Sequence, residues 1–474
     1  MTATSEELQW LDATAQAELV ANGDVTPLDL VEAAIERIDR LNPQLNAVIH
    51  RFDDEARATK PADGPFRGVP FLLKDGVAHS AGHPFHNGMR ALKAAQHTEP
   101  IDSELVRRVR AAGYLIVGKT NLPELASTVT TEPLAYGPTR NPWDTTRSTG
   151  GSSGGAAAAV ASGMVPVAHG NDMGGSIRVP SAWCGLVGLK PTRARTSLAP
   201  GFGEFWGPLT HEHVLTRSVR DSAGSLDALA GPAPGDPYTA PAPTRPWRDE
   251  VGADPGRLRI RFRPDAGHPD VAAALEATAA LLDTLGHDVA PTAFPALDDP
   301  RLGEGFAVII TSALARELDR WGARLGGTLT EADVEATTWL LASAGRVTTA
   351  TRYLEGVELL QAASRRVVEA WHGDQAIDVL VTATVPEPAI PLGTVGPESE
   401  PIAALARAGE LVRFTVPFNA TGQPAMSLPL HTTADGMPIG IQLVADTGRE
   451  DVLIRLASQL EQAAPWAHRH PPVS

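Results

Sequence analysis

The 474-residue chain has a single cysteine, Cys184, and few positive charges for its length. One thiol can form neither a disulfide within the chain nor a cysteine-based zinc cluster, so the fold should not depend on an oxidising compartment. The 40 Lys and Arg residues are outnumbered by 56 Asp and Glu, which gives a formal net charge of −16. Nucleic-acid-binding and membrane-surface proteins need clustered positive charge, so this balance argues against both kinds of partner.

Long apolar runs are also missing. The longest weakly polar run, residues 156–168, is interrupted by Ser162, Gly163 and Pro166 and is too short to cross a bilayer. The first residues carry neither the basic segment nor the apolar stretch of a signal peptide, and we therefore expect a cytoplasmic protein. Hydrophobic residues still make up 43% of the chain, which is typical of a folded globular protein.

Helical and extended patterns alternate along most of the chain. Thr26 and Pro27 are typical of a helix N-terminus, and the apolar spacing after them predicts a helix that stops at Asn42-Pro43. The apolar run Val69–Leu73 predicts a buried strand that ends at Lys74. Repeated alternation predicts an α/β fold built on a mixed, largely parallel, twisted β-sheet, with helices on both faces.

We expect one domain over residues 1–474, divided into five parts. They are N-terminal helices (1–66), a catalytic core (67–230), a Pro-rich connection (231–254), a variable helical and substrate-binding region (255–413) and a C-terminal core (414–474). Residues 307–370 have a strongly helical pattern and predict a helical cap.

Glycine is abundant, with 44 residues, and it is concentrated in one segment. Eight glycines fall between residues 150 and 175: Gly150, Gly151, Gly154, Gly155, Gly163, Gly170, Gly174 and Gly175. Glycine gathers where the backbone needs positive φ or must approach a ligand closely.

Four interpretations of this segment compete. A phosphate-binding loop would need a following Lys-Ser/Thr, which is missing. Gly151–Gly155 matches the Gly-x-Ser-x-Gly nucleophile elbow, with Ser153 as the nucleophile. A purely structural loop would let a helix pack on a strand, but it would account for one glycine pair and not for two. The fourth interpretation is a Ser–Ser–Lys hydrolase.

Three sets of motifs, in order along the chain, resemble the amidase signature family. They are Gly68–Asp75; then Gly150–Gly155 with Asp172–Pro180 and Cys184–Thr192; and finally Pro417–Asn419, Gly422–Ala425, Asp435–Gly440 and Gln442. The resemblance covers nearly the whole chain and implies the amidase signature fold.

The resemblance also implies a role for each motif residue. Ser176 would be the nucleophile, Ser152 the bridging serine behind a cis peptide bond, and Lys74 the base. Four backbone N–H groups would form the oxyanion hole, those of Met173, Gly174, Gly175 and Ser176. Five residues would support these loops: Gly150, Gly151, Ser153, Asp172 and Arg178.

Lys74 can act as a base only if its surroundings remove its proton. An unperturbed lysine has a pKa near ~10.4, so it must be desolvated to serve near neutral pH. The preceding apolar run would supply that environment, whereas the alternative is a surface lysine at a strand end. Asp75 should point away from Lys74, because adjacent side chains of a strand alternate. Asp172 and Arg178 should form a charge pair that fixes the second loop, although an exposed pair of little energetic value is the alternative.

The sequence thus predicts a metal-free and cofactor-free serine hydrolase that cleaves C–N bonds of small amides or carbamates (urethanes) through an acyl-enzyme. We expect a monomer or homodimer whose pocket favours apolar substituents. The pocket should be lined by Thr131, Phe202, Phe205, Trp206, Ile309 and Ile310. The alternatives are a transamidation subunit acting on charged tRNA in a complex, a Gly-x-Ser-x-Gly esterase and an inactive binding protein.

Overall fold

The computed structural model describes residues 4–373 and 376–474. Within these residues, eleven strands form one sheet in the order β1-β3-β2-β4-β6-β5-β10-β11-β9-β7-β8. The strands are β1 (Val48–Arg51), β2 (Pro70–Lys74), β3 (Leu115–Thr120), β4 (Val167–Asp172), β5 (Val187–Lys190), β6 (His211–Thr216), β7 (Arg259–Phe262), β8 (Asp288–Pro291), β9 (Val379–Ala383), β10 (Ala425–Thr432) and β11 (Pro438–Val444).

Helices precede, connect and follow these strands. They are α1 (Ser5–Gln9), α2 (Ala13–Asn22), α3 (Pro27–Leu45), α4 (Asp53–Ala58), α5 (Arg90–Ala94), α6 (Glu104–Ala111), α7 (Gly154–Ala161), α8 (Arg178–Cys184), α9 (Val219–Leu229), α10 (Pro269–Thr284), α11 (Pro300–Arg324), α12 (Ala336–Arg346), α13 (Ala350–Val368), α14 (Pro401–Leu411), α15 (Val416–Thr421) and α16 (Glu450–Ala463).

The mixed α/β sheet is confirmed, but parallel pairing is less extensive than the sequence predicted. Among the described strands, β3–β2, β2–β4, β9–β7 and β7–β8 pair in parallel, and the remaining six neighbouring pairs are antiparallel. Four of the six antiparallel pairs involve β5, β6 or β10, which were not predicted from the sequence and pair only antiparallel. The other two are β1–β3 and β9–β11. Strand β6 reads His-Glu-His-Val-Leu-Thr, so it lacks the apolar run that marks a buried strand.

Helices cover both faces of the sheet, as predicted. On β2, Phe71 and Leu73 pack with residues of α2 and α6, whereas Leu72 packs with residues of α3 and α7 on the other face. Successive side chains of a strand point to opposite faces, so the unbroken apolar sequence of β2 reflects burial on both sides.

Helix α3 begins as predicted and ends later than predicted. Thr26 is its N-cap and Pro27 its first residue, but the helix passes through Pro43 to Leu45. A proline in the last turn removes one hydrogen bond without breaking a longer ladder. Asn46, in the left-handed conformation with φ 50°, ends the helix instead.

The predicted helical segment 307–370 contains most of α11 together with α12 and α13, and α12 and α13 both pack against α11. Helix α11 passes close to the glycine-rich segment, because Phe306 lies beside Gly174. Residues 231–254 connect α9 to β7 with little regular structure. Among the described residues, no helix combines the length and apolar character that a bilayer crossing requires.

Candidate active site

Lys74 lies at the end of β2 and is completely buried. Its Nζ lies 2.7 Å from Ser152 Oγ, 2.9 Å from Ser153 Oγ and 2.6 Å from Asn171 Oδ1. Burial holds the pKa of Lys74 well below its ordinary value, although the nearby negative charges of Asp172 and Glu212 oppose this shift. The alternative of a surface lysine is therefore wrong.

The first glycine loop fixes Ser152. The Gly151–Ser152 peptide bond is cis, as the resemblance implied, and Gly150 has φ 78°. A Cβ atom on Gly151 would lie 2.5 Å from the carbonyl oxygen of Thr130, so only glycine fits there. The hydroxyl of Thr131 donates to Gly150 O at 2.9 Å and accepts from Gly154 N at 3.1 Å, which ties the two ends of the loop together.

The second loop follows β4 and is organised by Asp172. The Asp172 carboxylate accepts backbone hydrogen bonds from Gly175 N at 2.8 Å and Ile177 N at 3.2 Å. Arg178 binds the same carboxylate through both Nε (3.0 Å) and Nη2 (2.9 Å). Both side chains are fully buried, so the alternative of an exposed pair is wrong. Burial by itself would raise the pKa of Asp172, but the charge and hydrogen bonds of Arg178 outweigh it and hold that pKa well below its usual range.

The C-terminal motifs complete the coordination of Arg178. Its guanidinium donates to Thr415 O at 3.0 Å, to Gln442 Oε1 at 2.7 Å and to Asn419 Oδ1 at 2.6 Å. Asn419 also donates to the Asp172 carboxylate at 2.8 Å. Asn419 and Gln442 belong to the C-terminal motifs, from which no role could be predicted for them; both are hydrogen-bond partners of the buried ion pair.

Ser176 stands at the end of this loop, after Gly175 with φ 137°. Its side chain lines a cavity and has no hydrogen-bond partner within residues 4–373 and 376–474. Ser153 N donates to Ser176 O at 3.3 Å, which joins the two glycine loops. By contrast, Ser153 Oγ is buried against Lys74 and Asn171 O, away from the cavity.

The four backbone N–H groups predicted for the oxyanion hole are not equivalent. That of Gly175 donates to Asp172 Oδ1 at 2.8 Å and is engaged in holding the loop. Those of Met173, Gly174 and Ser176 donate to no protein acceptor in the part of the chain that the structure describes. Three residues that line the cavity, Met173, Gly174 and Ser176, thus have backbone N–H groups without a protein partner in the described residues.

The cavity in front of Ser176 has a volume of about 670 Å³. Trp206 and Ile310, two of the six residues predicted to line the substrate pocket, line this cavity. Most of its apolar wall was missed by sequence reasoning: Val129, Leu297, Leu302, Phe306, Leu341, Leu405, Val412 and Val416. The cavity mouth carries Arg413, but this guanidinium binds Asp265 at 3.2 Å and is not a free cation.

Four of the six predicted pocket residues do not line this cavity. Thr131 is buried against the first glycine loop, and Phe202 and Phe205 line a different cavity. Ile309 is rotated by about 100° around α11 relative to Ile310 and packs into the core instead. Five residues of α11 line the cavity: the large side chains of Leu302, Phe306 and Ile310 are spaced by four, and Gly303 and Ala307 lie next to them. That spacing is a signal that the sequence contains.

Comparison with known proteins places this arrangement in a family. The family model described as Amidase matches residues 29–454. The chain is 42% identical to 6-aminohexanoate-cyclic-dimer hydrolase of Paenarthrobacter ureafaciens over 98% of this chain and 96% of that protein.

Solved structures of related enzymes support the same family assignment. A structure of 6-aminohexanoate cyclic dimer hydrolase complexed with substrate matches with a TM-score of 0.94 and 41% identity, covering 98% of this chain and 99% of that one. A bacterial aryl acylamidase of the amidase signature family matches with a TM-score of 0.85 and 26% identity, over 97% of both chains. The chain therefore belongs to the amidase signature family of hydrolases, which act on amide C–N bonds.

Proposed function

We propose that this enzyme is a metal-free serine hydrolase that cleaves amides and carbamates with apolar substituents through Ser176, Ser152 and Lys74. The observation that carries the proposal is the 2.7 Å contact between a fully buried lysine amine and Ser152, beside a serine that opens onto an apolar cavity.

The contacts of Lys74 suit the neutral amine, which has two N–H groups and one lone pair. Asn171 Oδ1 can only accept, since its Nδ2 donates to Gly76 O at 3.2 Å. Ser153 donates its own hydrogen to Asn171 O at 3.3 Å, so it also accepts from Lys74. The lone pair then faces the hydroxyl of Ser152, the direction from which a proton would arrive.

Catalysis would proceed by acyl transfer. Lys74 takes the proton of Ser152, Ser152 takes that of Ser176, and Ser176 Oγ forms a bond to the substrate carbonyl carbon. The N–H groups of Met173, Gly174 and Ser176 stabilise the negative oxygen, each contributing about 3–4 kcal/mol to the transition state. The C–N bond then breaks as the proton returns through Ser152 to the leaving nitrogen.

Water completes the cycle by attacking the acyl-enzyme, with its proton passing along the same relay to restore Ser176. An amide yields a carboxylic acid and an amine. A carbamate yields an amine and a carbonic acid monoester, which loses CO2 to leave an alcohol. Lys74, Ser152 and Ser176 supply all the proton transfers in this scheme, so it calls for no metal or cofactor.

The cavity wall favours a neutral apolar substrate. Its exposed side chains are largely aliphatic or aromatic, and the charged groups at its mouth are paired, as Arg413 is with Asp265 and Asp298 with Arg263. A volume of about 670 Å³ would hold an aryl amide, an aryl carbamate or the cyclic dimer of 6-aminohexanoate.

The test is a hydrolysis panel with the purified chain alone: an aryl amide, an aryl carbamate, the 6-aminohexanoate cyclic dimer and a simple ester of the same aryl group. We expect cleavage of amide or carbamate, an acyl adduct on Ser176 in a quenched mass-spectrometric sample, and no turnover by Ser176→Ala. Activity on the ester alone, or loss with Ser153→Ala but not Ser176→Ala, would instead favour the nucleophile elbow. Amide chemistry that appears only with partner subunits would favour the transamidation alternative.

A further inference from the structure

A second cavity, of about 260 Å³, lies outside the Ser176 site and shares no lining residue with it. It is bounded by the loops after β2, by residues 200–205 and by the last turns of α11. Phe205 lines this cavity, whereas its neighbour Trp206, with φ 56°, lines the catalytic one. We propose that this second cavity is a binding site for a small organic carboxylate with an apolar aryl or short alkyl body.

Aromatic rings form the apolar part of the cavity. Phe85 and Trp321 stack with their centroids 5.8 Å apart, and Phe202 and Phe205 pack with theirs 4.7 Å apart. These four rings come from three separate segments of the chain and converge on the same space. Such walls suit an apolar body, and the volume limits that body to about one ring or a six-carbon chain.

Two guanidinium groups supply the charge. Arg320 and Arg324 are one turn apart on α11, and both lie over the ring of Trp321, at 4.9 and 5.0 Å from its centroid. Arg320 also lies 5.0 Å from the ring of Phe202. Stacking on rings holds each guanidinium plane in place while its N–H groups remain directed along the plane.

Most donors of these two arginines are unused. Within the described residues, Arg320 donates to Glu317 at 2.5 Å and Arg324 to Glu99 at 2.7 Å, one N–H group each out of five. Glu99 also lines the cavity, and Arg324 and His97 both bind its Oε1 atom. With the acid already paired and several guanidinium donors open, the cavity favours an incoming carboxylate, which arginine can bind through two parallel hydrogen bonds, over an amine.

A third polar group faces the same space. Asn87 is 5% exposed and lines the cavity, yet its side-chain amide has no hydrogen-bond partner in the residues described. This amide faces the cavity, and a ligand carboxylate would accept from its NH2 group. Asn87 (φ 49°) and Val77 (φ 63°), which also lines the cavity, both adopt the left-handed conformation. That conformation is unusual for a β-branched residue and gathers at ligand sites.

The test measures binding and is independent of the proposed reaction. Sodium phenylacetate is titrated into the full-length enzyme by calorimetry and by ligand-observed NMR, with 2-phenylethanol as the neutral probe of similar shape. We expect saturable binding of the acid and at least about tenfold weaker binding of the alcohol. Arg320→Gln should weaken phenylacetate binding about tenfold or more, whereas Arg352→Gln, at an arginine of α13 that pairs with Glu304 and Glu355, should leave it unchanged.

Two further variants keep the proposal falsifiable. Arg324→Gln repeats the test should Arg320→Gln fail to fold, and Phe306→Ala alters only the catalytic cavity. Phenylacetate binding that survives both arginine variants but is lost in Phe306→Ala would place the acid in front of Ser176 and overturn the proposal. Equal affinity for acid and alcohol, or no saturable binding of either, would overturn it as well.

Discussion

The two sides of the Ser176 cavity differ in chemical character: one is polar and the other is apolar. On one side, Gly151 and residues 173–176 line the cavity, and behind them Lys74 and Asp172 are held by several hydrogen bonds each. The opposite side consists of α11, α12, α14 and the turn into α15, which contribute mainly apolar side chains. Hydrogen bonds fix atoms in position, whereas an apolar wall accepts exchanges of similar volume. In the proposed mechanism, the polar side would carry out the reaction and the apolar side would select the substrate.

The largest effect should come from the lysine on the polar side. Lys74→Ala removes the proposed base and is expected to lower kcat/KM by about 10²–10⁴-fold, measured on the best substrate of the panel. Lys93→Ala is the matched control, because Lys93 is a lysine outside this network that donates to Ala135 O. Activity of Lys74→Ala within tenfold of the parent enzyme would show that the buried amine is structural.

The next largest effect, on stability, is expected from breaking the ion pair that supports the second glycine loop. Arg178→Met leaves the Asp172 carboxylate buried without its cation, so we expect a loss of about 3–5 kcal/mol in the free energy of unfolding, measured in urea. Arg352→Met removes an exposed pair with Glu304 and should cost less than about 1 kcal/mol. A double variant, Asp172→Asn with Arg178→Met, should recover part of the loss. No recovery would mean that the uncompensated charge is not the cause.

The difference between the polar and apolar sides of the cavity also explains which features could be predicted from the sequence. Lys74, Ser152 and Ser176 belong to short motifs with glycines in fixed positions, and the structure brings all three motifs together. The strand β2, the helix cap at Thr26 and the helical segment 307–370 were also predicted, because their apolar spacing is regular. The central strand β6 was missed, because its buried histidines and glutamate conceal the pattern.

The apolar wall is harder to predict, because it depends on which face of each element turns towards the cavity. Ile309 and Ile310 are equivalent by composition, yet one packs in the core and the other lines the cavity. Phe205 and Trp206 are adjacent, yet a positive φ at Trp206 places them in separate cavities. Tertiary packing decides which of two neighbouring side chains reaches a cavity. No motif in a single sequence indicates that packing.

A smaller loss of kcat/KM is expected from a substitution on the apolar side of the Ser176 cavity. Phe306→Ala enlarges the cavity beside Gly174 and should lower kcat/KM for an apolar substrate by about tenfold, mainly through KM, because one apolar contact is lost. The matched control is Phe202→Ala, which removes the same side chain from the second cavity and should leave KM unchanged. Equal effects of the two variants would mean that the cavities do not act separately, and a lower KM would mean that Phe306 obstructs the substrate.

The smallest expected effect is a shift in the pH dependence of activity. It depends on a contact between the polar network around Lys74 and strand β6. Glu212 is almost fully buried; its Oε1 lies 3.5 Å from His169 Nε2, and His169 Nδ1 accepts the backbone N–H of Lys74 at 3.3 Å. Burial lowers the pKa of Lys74, while the charges of Asp172 and Glu212 act in the opposite direction by favouring the ammonium form. Asp172 is already committed to Arg178, so Glu212 is the carboxylate whose charge can be removed without breaking an arginine pair.

Glu212→Gln keeps the shape of the side chain and deletes its charge, so the pKa of Lys74 should fall further below that of an ordinary lysine. The proposed base must be neutral, and a lower pKa keeps it neutral in more acidic solution. The acid limb of the kcat/KM profile should therefore move to lower pH, with the plateau nearly unchanged. Asp54→Asn, at a fully exposed carboxylate, should leave the limb in place. If the limb instead moves to higher pH in folded Glu212→Gln enzyme, the group that titrates is not a lysine base sensitive to this charge.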